Sequence, residues 1–278
     1  MDNTIKTVLF LGLLTGIILG IGYMLGPYGL LIGLVFAVVM NFVSYFFSDK
    51  IVLAMYRAKE VSEKDQPELY KIVREVAHLA NIPMPKLYIV SSSNPNAFAT
   101  GRNPNHAAVA VTTGIMDLLE KDELKGVIAH EISHVKNRDI LIATVAATLA
   151  GIISYIGIMA RWSAIFGGMG GDDDNNIISI LVLGIITPIM AFLIQMAISR
   201  SREFEADKSA AKILHNPHGL IKALDKLENG VKTHPLKFGS KAGASLFIVN
   251  PFSAKGFTNM LSTHPPMEER IKRLKNLI

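Results

Sequence analysis

The chain has 278 residues, of which 50% are hydrophobic and 18% charged, and its mean hydropathy is +0.36. This composition excludes an ordinary soluble domain and indicates membrane spans. Because there is no cysteine, a disulfide framework and a thiolate metal site are excluded, and any metal must be bound by histidines and carboxylates. The net charge of +5 is concentrated in residues 199–278, where no aromatic–basic platform accompanies it. We therefore expect no nucleic-acid partner, and a basic face near anionic headgroups instead.

Two uncharged stretches open the chain, Thr7–Leu25 and Tyr28–Phe47. Each has about the 20 residues that a helix needs to cross a bilayer. Gly26-Pro27 predicts a turn between them, so we expect a transmembrane hairpin over residues 1–47. A cleaved signal peptide is the alternative for the first stretch, but its length and the second stretch directly behind it disfavour this interpretation.

The polar region that follows predicts a small sheet between helices. Apolar residues at helical spacing predict an amphipathic helix over Gln66–Ala80. Three short strands follow, bounded by turn residues, and a short helix comes after them. The strands are Lys86–Ser91, Ala97–Thr100 and Ala107–Thr113, and the helix is Gly114–Leu119. An extended peptide can add to the edge of such a sheet as a further strand.

The next predicted helix, with Asp122 as its expected N-cap, carries an H-E-x-x-H pattern at His130, Glu131 and His134. Residues i and i+4 share a helix face, so the two imidazoles can hold one metal ion. Glu131 lies beside them, where a carboxylate can take a proton from metal-bound water. The alternative is a surface helix with two incidental histidines. A catalytic zinc takes three protein ligands, and the H-x-x-G-x-x-H extension is absent, so a third ligand must come from elsewhere.

Two further uncharged stretches, Ile140–Ala160 and Ile177–Ile198, are predicted to span the membrane, the alternative being a pair of buried helices. The glycine-rich, acidic segment 161–176 between them predicts a flexible exposed loop. Basic residues flank the two long polar regions, so the positive-inside rule places 48–139 and 199–278 in the cytoplasm and the acidic loop outside.

Two spans return the chain to the side on which the histidines lie, so the third ligand can follow the fourth span. Glu203 and Asp207 form an i, i+4 pair there. Glu203 can bind the metal, and Asp207 can accept the free imidazole N–H of His130 or His134. Spacing does not choose between Glu203 and Glu205, and a surface helix with acids in its first turn is the alternative. Helices are also expected over His218–Leu227 and Pro265–Leu277.

Several motifs occur in a characteristic order along almost the whole chain. They are Asn94-Pro95-Asn96-Ala97-Phe98-Ala99, H-E-x-x-H at 130–134, Glu203-Phe204-Glu205-Ala206-Asp207, and Ser262-Thr263-His264-Pro265-Pro266 with Glu269-Arg270. In this combination the sequence resembles the HtpX family of membrane zinc metalloproteases, relatives of the CAAX prenyl protease.

The resemblance implies the identity of the site. It implies one Zn²⁺ per subunit bound by His130, His134 and Glu203, with Glu131 as the general base and Asp207 as the second acid of an E-x-x-x-D motif. A site of two histidines and one glutamate favours zinc over other divalent metals.

The resemblance also suggests residues that contact the substrate. Asn94 and Asn96 would lie near the substrate cleft, with ordinary turn chemistry as the alternative. His264 and Arg270 match the family's C-terminal His-Pro-Pro and Arg. Our hypothesis is that one of them steadies the oxyanion, and a structural turn is the alternative.

The sequence thus predicts a mostly α membrane protein with four transmembrane helices and a zincin-like α+β metalloprotease domain containing a small sheet. We expect the hairpin at 1–47, a cytoplasmic part with the H-E-x-x-H helix at 48–139, two spans with the external loop at 140–198, and a cytoplasmic part with the third ligand at 199–278.

The function implied is that of a zinc metalloendopeptidase in the cell (inner) membrane, with its active site facing the cytoplasm. Its substrates would be misfolded or damaged membrane proteins, as in the quality control and stress response of the family. No Walker A pattern is present, so no use of ATP is expected. A narrow-specificity processing protease and a non-catalytic membrane scaffold with a structural metal are the alternatives.

Overall fold

The computed structural model describes residues 27–139, 201–233 and 265–277, together with isolated positions before residue 27. The helices are α1 (Pro27–Phe46), α2 (Ser48–Met55), α3 (Pro67–Ala80), α4 (Thr113–Leu118), α5 (Lys121–Lys136), α6 (residues 201–214), α7 (His218–Thr233) and α8 (Met267–Lys275). The strands are β1 (Lys59–Glu60), β2 (Lys86–Val90), β3 (Ala97–Gly101) and β4 (Ala107–Thr112). The described chain is therefore mostly helical with one small sheet, as the sequence predicts.

The sheet is mixed, with strand order β1-β2-β4-β3. β2 and β4 run parallel with Leu87 opposite Val109, and β3 pairs antiparallel to β4 with Ala99 opposite Val109. β3 therefore forms one edge of the sheet. This edge lies next to α5, the helix that carries the H-E-x-x-H pattern.

Helices cover both faces of this sheet, because its strands alternate apolar residues between the two sides. Leu87, Ala99 and Val109 face the larger core, which contains the buried faces of α3, α5, α6, α7 and α8. Phe98 and Ala110 face the smaller core, which is closed by Val52 and Leu53 of α2. The site helices all lie on the larger-core side, and β3 is the strand nearest α5.

Helix α1 coincides with the second uncharged stretch and exposes apolar side chains such as Leu31, Ile32 and Val35. It lies beside the first stretch, since the Asn41 amide donates to Thr15 Oγ1 at 2.8 Å. Among the helices of the described residues, none meets the length and apolarity that a membrane crossing requires. Most of Thr7–Leu25 and all of the predicted spans at 140–198 fall outside the described residues.

Helix α5 begins differently from the prediction, which named Asp122 as its N-cap. The N-cap is Glu120, and its carboxylate accepts the N–H of Glu123 while the Glu123 carboxylate accepts the N–H of Glu120. This reciprocal capping box satisfies two backbone donors that a helix start leaves without partners. Asp122 occupies the first turn instead, where its charge still favours the helix N-terminus.

Helices α5 and α7 cross at backbone contact. A Cβ atom at Gly126 would lie 2.5 Å from the backbone nitrogen of Leu220, and one at Gly219 would collide with the carbonyl oxygen of Asp122. Only glycine permits this approach. The crossing holds the first half of α5 against α7 and so fixes the helix that carries the histidines.

Candidate active site

Helix α5 places His130 and His134 one turn apart on the same face. Their rings stand nearly perpendicular, and their Nε2 atoms are 3.2 Å apart. His130 is 2% exposed, and His134 is partly buried. The two ring nitrogens therefore meet at one point, as the i, i+4 spacing predicts.

Helix α6 brings Glu203 to the same point. Its Oε2 lies 3.5 Å from His130 Nε2, and its Oε1 lies 3.5 Å from His134 Nε2. One ligand atom from each of these three residues lies within 4.8 Å of the others. Glu205, which the spacing left as an alternative, is exposed on another face of α6. The structure therefore brings Glu203, and not Glu205, to the two histidines.

The outer nitrogen of each imidazole lies near a carboxylate. His130 Nδ1 lies 2.9 Å from Asp207 Oδ1, and His134 Nδ1 lies 3.4 Å from Asp139 Oδ2. Sequence reasoning proposed Asp207 for this place but missed Asp139. A carboxylate at Nδ1 favours the tautomer whose Nε2 lone pair is available to a metal.

These donors suit a divalent metal ion. With both Nδ1 atoms facing carboxylates, the Nε2 atoms of His130 and His134 and the Glu203 carboxylate are acceptors that converge on one another. Such a buried arrangement needs protons or a cation between its members. Two histidines and one glutamate form a ligand set that catalytic zinc uses.

The neighbouring acids favour the protonated forms of both rings. Burial opposes protonation of His134, but hydrogen bonds to Asp139 and Glu203 raise its pKa to about 10. Burial and Arg270 oppose protonation of His130, yet Asp207 and Glu203 raise its pKa above the ordinary value. Metal binding must therefore displace protons from the two histidines.

Glu131 lies beside the histidines and is 6% exposed. Its Oε2 accepts the backbone N–H of Ala99 on β3 at 3.0 Å. Burial raises the pKa of the Glu131 carboxyl above its ordinary value. A carboxyl that has a raised pKa and lies beside a metal-ligand cluster is suited to transfer protons.

Arg270 of α8 is fully buried and binds the acids of α6. Its Nε and Nη2 donate to Asp207 at 2.8 and 2.7 Å, and its Nη1 lies 3.3 Å from Glu203 Oε2. Burial favours the neutral acid, but Arg270 and His130 hold the pKa of Asp207 at about 2. The guanidinium thus pairs with both acids of α6. The sequence-based hypothesis that either Arg270 or His264 steadies the oxyanion stays a prediction.

Asn94 and Asn96 are buried where the chain enters β3. The N–H of Asn96 donates to Thr112 Oγ1 at 2.9 Å, and the Thr112 hydroxyl donates back to the Asn96 carbonyl at 3.0 Å. These bonds use the backbone of Asn96 and fix the start of the edge strand. A substrate contact by either asparagine stays a prediction, and His264 lies outside the described residues.

A helix with H-E-x-x-H, joined by a glutamate from a second helix, defines a metallopeptidase site. The profile of Peptidase family M48 matches residues 63–278, and the chain belongs to this family. A "Protease HtpX homolog" of Pyrococcus furiosus is 52% identical over 275 residues, covering 98% of this chain and 95% of that protein. Another, of Syntrophobacter fumaroxidans, is 50% identical over 282 residues and covers all of both chains. The resemblance to HtpX proteases is confirmed.

A solved structure shares the fold. The crystal structure of S. mikatae Ste24p superposes with a TM-score of 0.55 at 20% sequence identity, and the match covers 98% of this chain. The chain spans 65% of the length of Ste24p. At this identity the likeness concerns the fold.

Proposed function

We propose that the chain is a membrane-integrated, zinc-dependent endopeptidase that cleaves misfolded or damaged membrane proteins on the cytoplasmic side. The observation that carries the catalytic part is the convergence of His130, His134 and Glu203 with Glu131 directly beside them. Membership in a peptidase family supports hydrolysis of peptide bonds as the reaction.

The residues divide the chemistry among them. His130, His134 and Glu203 would hold the zinc ion, which when bound supplies Lewis-acid polarisation of the scissile carbonyl. Glu131 takes a proton from the attacking water and passes it to the leaving amine. Its burial suits this role, because the raised pKa makes the carboxylate a stronger base than an exposed glutamate.

The edge strand β3 is suited to hold an extended substrate. The N–H of Ala99 points away from β4 and toward Glu131. A peptide added alongside β3 would therefore run past the Glu131 carboxylate, with its backbone held by strand hydrogen bonds. This mode of binding uses main-chain groups and accepts many sequences, which supports an endopeptidase of broad specificity.

The membrane placement rests on the sequence pattern. Four uncharged stretches of about 20 residues and basic flanks around 48–139 and 199–278 support a multi-pass topology with a cytoplasmic site. The exposed apolar side chains of α1 agree with contact to lipid. Without a Walker A pattern, the enzyme would depend on substrates that are already loosened, as quality control of damaged proteins provides.

Comparing Glu131→Gln with the wild type tests this function. Both full-length proteins are purified in detergent, loaded with zinc and mixed with an unfolded model protein such as β-casein, with and without ATP. The amide cannot take a proton, so we expect cleavage to fall by about a thousandfold at unchanged zinc content. ATP should have no effect.

The exposed variant Glu68→Gln on α3 serves as the matched control and should cleave like the wild type. Equal cleavage by Glu131→Gln and wild type would contradict the assigned base. A wild type that holds zinc but leaves all unfolded proteins intact would favour a narrow processing protease or a scaffold.

A further inference from the structure

Asp139 reaches the site through a turn at the end of α5. The helix ends at Lys136, and Arg138 adopts a left-handed backbone conformation with φ of 57°. This turn brings Asp139 back beside His134, where Oδ2 lies 3.4 Å from Nδ1. Asp139 is 4% exposed. A non-glycine residue in this conformation is uncommon.

The two histidines then have matching surroundings. His130 faces Asp207 and His134 faces Asp139, each through Nδ1. Burying a carboxylate is costly unless it is paired and hydrogen-bonded. The paired arrangement indicates that Asp139 does for His134 what Asp207 does for His130.

A second contact links Asp139 to the third ligand. Arg202 Nη1 approaches the carbonyl oxygen of Asp139 at 3.5 Å, and Arg202 directly precedes Glu203. The backbone after α5 is thereby tied to the start of α6. The contact therefore links the residue behind the histidine helix to the helix that carries Glu203.

We propose that Asp139 is a positioning residue, which accepts the Nδ1–H of His134 and directs its Nε2 toward the metal. This inference rests on the proposed function, because it requires a metal at the site. Such outer partners of a metal-bound histidine fix the tautomer and ring orientation.

Metal affinity measures this role directly. Zinc binding to full-length Asp139→Ala and Asp139→Asn in detergent is compared with wild type by competition with a chromophoric chelator. We expect zinc affinity to fall about 10–100-fold for Asp139→Ala. The zinc affinity of Asp139→Asn should lie between those of Asp139→Ala and the wild type, because its amide oxygen can still accept the Nδ1–H. The cobalt-substituted Asp139→Ala protein should also show a changed visible absorption spectrum, since the geometry of one histidine ligand is altered.

Asp122→Asn is the matched control, because Asp122 is an exposed acid in the first turn of α5, at the end of the helix away from the site. It should bind zinc and cobalt like the wild type. If Asp139→Ala does not fold, Asp139→Leu, which fills the same space without a hydrogen-bond acceptor, takes its place, and a wild-type affinity and cobalt spectrum in that variant would overturn the proposal.

The result also separates this inference from the proposed function. If the wild type binds no zinc, the proposed function fails. If the wild type binds zinc and cleaves, and both Asp139 variants keep an affinity within twofold and the same cobalt spectrum, only the positioning role is wrong.

Discussion

The two ends of helix α5 use acidic residues in opposite ways. At its start, Glu120 and Glu123 cap the helix, and Lys226 of α7 binds the buried Glu123 at 2.7 Å. At its other end, buried acids from α6 and from the turn after α5 surround His130 and His134. The first arrangement satisfies a local requirement of the helix. The second gathers buried charges from separate elements, which is costly for folding and is typical of a functional site.

The largest effect should follow from removing the carboxylate that completes the metal-ligand set. Glu203→Gln replaces a charged ligand with a neutral amide, so we expect the dialysed protein to lose its zinc and its proteolytic activity. Metal analysis measures the zinc content, and cleavage of an unfolded protein measures the activity.

Glu205→Gln is the matched control, because it makes the same change two residues away on an exposed face of α6. It should keep zinc and activity. A Glu203→Gln protein that retains one tightly bound zinc ion would contradict the assigned ligand set.

The next largest effect should be a loss of stability when Arg270, the positive charge that pairs with the buried acids around the histidines, is removed. Arg270→Met leaves Asp207 and Glu203 buried without the guanidinium, so we expect the metal-free chain to lose about 3–5 kcal/mol of stability. With zinc bound the loss should be smaller, because the metal supplies positive charge beside the same acids. Thermal unfolding in detergent, with chelator and with zinc, measures the difference.

The double variant Arg270→Met/Asp207→Asn provides the coupling test. Removing the acid together with its partner should cost less than the sum of the two single changes, since they belong to one network. Additive losses, or an equal loss with and without zinc, would show that Arg270 acts through packing alone.

The smallest effect should appear at the start of α5. Burial opposes ionisation of Glu123, but Lys226 and the N–H of Glu120 lower its pKa below the ordinary value of 4.5. A lowered pKa in the folded state contributes stability above the ordinary pKa, and this contribution disappears as the pH falls through the lower value. We expect Glu123→Gln, which keeps the cap but not the charge, to cost about 1 kcal/mol at pH 7.

The midpoint of thermal unfolding should therefore fall by about 2–4 °C at pH 7. The difference from wild type should shrink once the pH drops below 4.5. Zinc content and cleavage should not change. Glu63→Gln, which breaks an exposed ion pair with Arg74, is the control and should leave the midpoint unchanged at either pH. A pH-independent loss for Glu123→Gln would contradict the ionic role.

The predictable parts of the site follow from local spacing. His130 and His134 lie together because helical geometry alone places i and i+4 on one face. The same rule relates Glu203 to Asp207, although only the resemblance to HtpX chose Glu203 over Glu205. The main helices and strands were predictable because each has an apolar period or clear turn residues around it.

The missed parts depend on tertiary contacts. Asp139 reaches His134 only because Arg138 adopts a left-handed conformation, which nothing in its own residue type announces. Arg270 binds Asp207, which is distant in sequence, and no pattern links the two. Helix α2 and strand β1 were missed because charged residues interrupt a short segment that packing onto the sheet stabilises.

The absence of a side chain at Gly126 determines the orientation of α5. Gly126 lies one turn before His130 and two turns before His134, on the stripe of α5 that α7 crosses. An α-helix is stiff over so short a length. A methyl group inserted at this crossing would therefore tilt α5 and displace His130 and His134. Catalytic groups tolerate misplacement of only about 0.5 Å. Gly126 has no functional group, yet the alignment of the metal ligands and of Glu131 depends on it.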